Sequence, residues 1–201
     1  MADAERAADF VALERESADL RGALGAAIPG CNAGNFHWLY AVDYAKARVA
    51  AGVAVPAAVA ELEGPAAAVL ARRYFLRARH APLAALTALP LVREMRAFVR
   101  AFASDGGTQP SGARLSLKAA HDATILALYH ALGGADGYLP PFTASFEVRL
   151  SDADGVRLFL DGADVTAALA AGPAAPVAAL LDVGAFDARL SRLVDAGAVP
   201  L

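Results

Sequence analysis

"LSLKAAHDATILALYHALGG" (residues 115–134) is the stretch on which the reading of this chain turns. Leu115 and Leu117 lie between Arg114, Ser116 and Lys118, the period-two alternation of a short strand, and a helical pattern follows His121-Asp122 at once. Gly133-Gly134 predicts the C-terminal stop of that helix. Ligands of open α/β sheets bind beyond the carboxyl ends of strands, where helix N-termini also point. Unpaired N–H groups there attract anions, phosphate above all. His121 adds a donor that can carry positive charge, and Asp122 an acid that can protonate a leaving oxygen. The same two residues also have a plain structural reading, with Asp122 as the helix N-cap and His121 as packing.

Towards the C-terminus, "FTASFEVRL" (142–150) alternates, with Thr143, Ser145, Glu147 and Arg149 on one face and Ala144, Phe146, Val148 and Leu150 on the other. "SDADG" is a turn and "VRLFL" a returning strand, so 142–160 predicts a β-hairpin. "AFDARLSRLV" predicts a closing helix. Towards the N-terminus the pattern is helical. Phe10, Leu13, Ser17 and Leu20 form a stripe within a helix over 3–24, and "IPGCNAGN" (28–35) is a turn cluster with Asn35 as the expected cap of the next helix. Pro56 and Pro65 predict first-turn prolines. Over 90–103, Leu91, Met95, Phe98, Val99 and Phe102 share one apolar stripe, with Arg93, Arg96 and Arg100 elsewhere. A loop, "ASDGGTQPSG" (103–112), separates the two halves. The fold class expected is α/β, with a helical region over 1–104 and an α/β part over 105–201. Only three strands are visible, and the first has no evident parallel partner.

Composition narrows the function. The chain has 201 residues, 57% hydrophobic, with a formal net charge of −3 and its acids and bases interspersed. That is not the clustered basic footprint of a nucleic-acid binder. The most uniformly apolar uncharged run, "VTAALAAGPAAPVAALL" (165–181), is shorter than the roughly 20 apolar residues a bilayer span needs and is broken by two prolines. Cys31 is the sole cysteine, which excludes an intrachain disulfide and a cysteine-based metal site. No metal or other cofactor is expected: His37, His80 and His130 show no ligand spacing, and His130 lies about 180° around its helix from His121. The N-terminus lacks the basic and apolar regions of a secretory signal. The chain therefore reads as cytosolic if it is complete.

With its neighbours included, "LKAAHDATILALYHALGGADGYLPPFTASFEVRL" resembles the C-terminal signature of the histidine acid phosphatases, the acid-phosphatase and phytase branch of the histidine phosphatase superfamily. That signature is a hydrophobic strand, Ser-Ala-His-Asp-Thr-Thr, a helix ending Ala-Leu-Gly, a Pro-Pro loop, and a strand with Ala-Ser followed by an acid. Here stand Ala119-Ala120-His121-Asp122-Ala123-Thr124, Ala131-Leu132-Gly133, Pro140-Pro141, and Ala144-Ser145 with Glu147. "LYAVDYAKARVAAGVAVP" (39–56) is similar to the family's helical cap, with Ala51-Gly52 where the cap usually carries His-Gly. "LPLVREMRAFV" and "VGAFDARLSRLV" resemble the helix before the last core strand and the closing helix.

The resemblance implies a partial histidine-phosphatase-like core, C-terminal strand, helix and hairpin, below a mainly helical cap. It implies hydrolysis of phosphate monoesters through a phosphohistidine, with His121 binding phosphate and Asp122 as the general acid. The nucleophile of that family stands in an Arg-His-Gly motif, and none occurs here. Arg79-His80, followed by alanine, is the nearest string and reads as a chance pair at a helix end. The chain alone is therefore expected to be inactive. Covalent catalysis without its nucleophile loses most of its rate. The alternative is a non-catalytic pseudo-phosphatase or a phosphate- or partner-binding module. The partners expected are phosphate or a phosphate ester, and either a missing N-terminal half or a second copy at an exposed sheet edge. If such a half precedes the chain, a secretory or lysosome-like location follows. A metal-dependent His-Asp phosphohydrolase would need further His and Asp ligands on neighbouring helices, and His37, His80 and His130 show no supporting spacing while His121 follows a strand-like run.

Overall fold

The alternation over 115–118 does not become a strand. In the computed structural model, residues 115–121 run without helix or ladder pairing, and Leu115 and Leu117 are 71% and 83% exposed. The reason is physical. A strand is held by a neighbour's N–H and C=O groups, and no strand among the described residues lies beside this segment. The described residues are 7–32, 34–79, 81–105, 115–151, 155–170 and 182–197. The start of the first helix at 3–6, His80, most of the 103–112 loop, Arg114, the hairpin tip at 152–154 and the proline-broken run over 171–181 lie outside them.

The fold is mixed α/β and mostly helical, with one small antiparallel sheet. It divides into two compact units, residues 1–77 with 136–139, and 78–135 with 140–201. The division expected from the sequence pattern lay at 104/105, in the loop after the helical block.

In the first unit, α1 (Ala8–Glu16) and α2 (Ala18–Ala27) replace the continuous helix expected over 3–24. They part at Ser17, whose backbone turns to φ −95° and ψ 6° while its N–H and its hydroxyl both donate to the carbonyl of Leu13, at 3.0 and 2.6 Å. Asn35 does not cap α3 (Trp38–Ala50); His37 holds that position. The Asn35 side chain is spent inside its own turn, donating to the carbonyl of Gly30 and accepting from the N–H of Asn32. Pro65 lies inside α4 (Ala57–Arg79), not in a first turn. Leu24, Val42, Val59 and Leu70 form the core with Trp38, whose ring meets Phe36 edge-on at 5.0 Å. Arg73 lies over the ring of Phe10, 4.7 Å from its centroid, and pairs with Glu14, while Arg72 pairs with Asp136.

The second unit contains α5 (Ala81–Asp105), α6 (Asp122–Ala131), β1 (Phe146–Ser151), β2 (Gly155–Leu160), β3 (Ala163–Asp164), α7 (Thr166–Ala170) and α8 (Val183–Gly197). The predicted helix over 90–103 is the C-terminal part of α5, with Pro90 inside it. The hairpin forms with Phe146 opposite Leu160 and Ser151 opposite Gly155, and the sheet order is β1-β2-β3. It begins at Phe146 and not at Phe142, because Thr143 adopts a positive φ of 65° that interrupts extended backbone. The expected faces hold: Phe146, Val148 and Leu150 pack against a core that includes Val99, Leu132, Leu158, Phe186 and Leu190. Asp187 of α8 accepts from Nε of Arg96 and of Arg100, both at 3.0 Å, which fastens α8 to α5.

A small polar knot closes the sheet. The buried hydroxyl of Thr166 accepts the N–H of Leu158 at 2.8 Å, and Asp164 accepts the N–H of Thr166 at 2.9 Å. The bonds from Thr166, then the guanidinium of Arg157, pull the Asp164 carboxyl down from 3.8 to about 2. An acid whose folded value is lowered contributes stability above its unfolded value and loses it as pH falls towards the folded one. Between pH 4 and pH 2, Asp164→Asn is therefore expected to lose less stability than the wild-type chain. Denaturant midpoints at the two pH values check this, and equal losses would exclude the knot as an acid-sensitive element.

Candidate functional site

The helix that follows residues 115–121 begins one residue earlier than its capping reading assumes. His121 is the N-cap of α6, with φ −96° and ψ 161°, and Asp122 is the first helical residue. The carbonyl of His121 accepts from the N–H of Thr124 at 2.9 Å and of Ile125 at 3.3 Å. Neither side chain caps the helix. The imidazole makes no capping bond, and the Asp122 carboxylate accepts only the adjacent N–H of Ala123, at 2.7 Å, among the bonds described for it. Capping in the ordinary sense requires a side-chain bond to the second or third helical N–H. The structural reading of Asp122 as N-cap is thus corrected.

Both residues are exposed, as are all residues from 115 to 120. Residues 126–128, by contrast, are buried and root the helix in its unit. The helix is closed as expected: Gly133 adopts φ 88°, and the N–H of Gly134 reaches the carbonyl of Tyr129 at 2.9 Å. A Cβ at position 134 would overlap the Tyr129 ring, which leaves glycine as the residue that fits. His121 and Asp122 therefore stand on an anchored helix but at an open end of it.

The structure brings no other histidine to this pair among the described residues. His130 is near the far end of α6, its Nδ1 3.2 Å from the carbonyl of Gly134. His37 precedes α3, in the first unit, and its ring faces Tyr40 at 4.9 Å. Arg79 ends α4 and His80 lies outside the described residues. No group of three or more His, Cys, Asp or Glu side chains suited to a metal ion occurs among the described residues. No described helix is long and apolar enough to cross a membrane.

Two features escaped the sequence reading. One is an open groove of about 490 Å³ in the first unit, lined by Glu14, Arg21, Gly22, Gly25, Cys31 and Asn32. Its acid, Glu14, already pairs with Arg73. The other is Arg189, 6% exposed, whose Nη2 donates to the carbonyl of Leu132 at 2.8 Å, at the end of α6. Burial lowers the pKa of this guanidinium, and the neighbouring charge of Arg192 lowers it further. Position 189 fell within the apolar rhythm of the closing helix, where an arginine would ordinarily be read as solvated.

Comparison of the chain with family models, curated proteins and solved structures yields no match.

Proposed function

We propose that this chain is a histidine-acid-phosphatase-like phosphate-binding protein, in which His121 holds a phosphate group at the start of α6 and Asp122 is the acid for a leaving alcohol. One observation carries the reading: both side chains are exposed at one helix N-terminus and neither is used to cap it. A helix N-terminus favours an anion through its N–H groups and its partial positive charge. An imidazole beside it adds a donor that can be charged.

Asp122 shapes what this site can do. As a carboxylate it repels a phosphate brought to the same helix end; as a neutral acid it donates. In a full reaction its proton passes to the bridging oxygen as the P–O bond breaks and the nucleophile takes the phosphoryl group. The 201 residues contain no Arg-His-Gly to supply that nucleophile. By itself the polypeptide therefore behaves as a binding module. Its macromolecular partner, on this reading, is a second copy of the chain at the open edge of the sheet.

Calorimetry with inorganic phosphate and phenyl phosphate tests the site. A hydrogen bond to a charged group contributes about 1.5–3 kcal/mol, so His121→Ala should weaken binding by roughly ten- to a hundredfold. Asp122→Asn removes the repelling charge and should tighten it. Hydrolysis of p-nitrophenyl phosphate at mildly acidic to neutral pH should stay at background. Ordinary enzymatic turnover that vanishes in His121→Ala would reverse the conclusion on activity. Equal phosphate binding in the wild-type and His121→Ala chains would remove the site.

A further inference from the structure

Among the described residues, the second unit has two pieces of backbone without a ladder partner, and their side chains complement each other. The first is the outer edge of β1. The N–H of Asp161 donates to the carbonyl of Ser145 at 2.9 Å, which extends the register in which Phe146 faces Leu160. Antiparallel partners alternate between bonded and non-bonded pairs. Residues 147, 149 and 151 therefore turn their backbone groups towards β2, and Phe146, Val148 and Leu150 turn theirs to the open side. No described strand lies on that side, and these three side chains are only half-buried, although Val156 and Leu158 on β2 are 0% exposed. Among the described residues, the core-facing row of the sheet ends at β1.

The second piece is the segment 115–119. Leu115, Leu117 and Ala119 share one side of an extended chain, and Ser116 and Lys118 the other. Placed antiparallel to β1 with Leu117 opposite Val148, the segment sets Leu115 against Leu150 and Ala119 against Phe146. The apolar row then continues across the new strand. On the outer face Lys118 falls opposite Glu147 and Ser116 opposite Arg149. The parallel alternative sets Lys118 against Arg149, a like-charge pair, so the antiparallel register is favoured.

We propose that two copies of this chain associate by reciprocal strand exchange, residues 115–119 of each adding antiparallel to β1 of the other. This specifies the self-association reading given above and is independent of phosphate binding. Each copy supplies one donor segment and one acceptor edge, so the two contacts close a twofold-symmetric pair and leave neither edge open. In the single chain Lys118 pairs with Glu94, and Glu147 accepts from Arg149 at 2.7 Å. Association exchanges these exposed pairs for the Lys118–Glu147 contact.

Sedimentation of the full-length chain over a broad concentration range is the test. A species of about twice 20.6 kDa should form as concentration rises. Leu117→Asp should remain monomeric with unchanged helical circular dichroism, since Leu117 is 83% exposed. Lys118→Glu and Glu147→Lys should each weaken the dimer by about tenfold or more. Combining the two substitutions should restore it, because opposite charges then meet again across the pair with their signs exchanged. A change confined to the Lys118–Glu94 contact would not be rescued in that way. A chain that stays monomeric at every concentration overturns both the exchange and the self-association reading. A dimer unmoved by Leu117→Asp, or not rescued by the double charge reversal, overturns the exchange and leaves association standing. A monomer whose amides at 115–119 resist hydrogen exchange overturns the exchange as well, by showing the segment paired within its own chain.

Discussion

Phe186→Ala is expected to lower the stability of the second unit by about 3–5 kcal/mol, the usual cost of emptying a buried aromatic site. Phe186 is 0% exposed on α8, and it lies in the same core as Val99 of α5, Leu132 beyond α6 and Leu158 of β2. Side chains from helices and sheet meet there, so no single element can shift to fill the void, and the cavity contribution is retained. Domains are stable by only about 5–15 kcal/mol. The loss therefore removes a large share of the margin that holds α6 and its exposed end in place. Leu117→Ala supplies the contrast: at 83% exposure it should change stability by no more than about 0.5 kcal/mol. Urea titrations would show the Phe186 variant with a lower midpoint and an unchanged slope. A shift of less than about 1 kcal/mol would mean that the core as described is not what holds this unit together.

The elements legible in the sequence were those whose signal is local and repeated. The stripe of α5 at Leu91, Met95 and Val99 meets the core, and Phe146, Val148 and Leu150 alternate into it as written. Gly133 ends α6 where expected, because a residue at φ 88° demands what glycine alone offers cheaply. Alternation at Leu115 and Leu117, by contrast, records a capacity to form a strand and says nothing of the partner that would realise it. The third strand of the sheet came from elsewhere, at Ala163–Asp164, fixed by Asp164, Thr166 and the backbone of Leu158. Such a knot joins Leu158 to Thr166 across a turn and leaves no periodic trace. The break at Ser17 lies in the backbone angles of one residue, φ −95° and ψ 6°, inside a pattern that is helical on both sides. His121 and Asp122 were singled out by residue type, and the cap of α6 falls one residue earlier than that reading placed it. Sequence pattern locates a helix start to within a turn, and capping is decided within a single residue.

Arg189 should separate packing from charge within the core. Arg189→Ala is expected to cost about 2–4 kcal/mol, whereas Arg189→Met should lie within about 1 kcal/mol of the wild-type chain. The side chain is 6% exposed, on the helix face that also carries the buried Phe186 and Leu190, so its methylene stem occupies buried volume. Alanine removes that volume, and methionine keeps most of it. The charged head contributes two opposed effects. Nη2 donates to the carbonyl of Leu132, a bond at the negative end of α6 that is favourable by about 1.5–3 kcal/mol. Against this, Nη1 has no hydrogen-bond partner among the described residues, and the burial that lowers the pKa of this group costs several kcal/mol. Methionine forfeits the bond and relieves the burial, so the two changes largely cancel. Equilibrium unfolding of the two variants measures the balance. If the methionine chain proves as unstable as the alanine chain, the bond to Leu132, and not the stem, is what Arg189 contributes at the far terminus of α6.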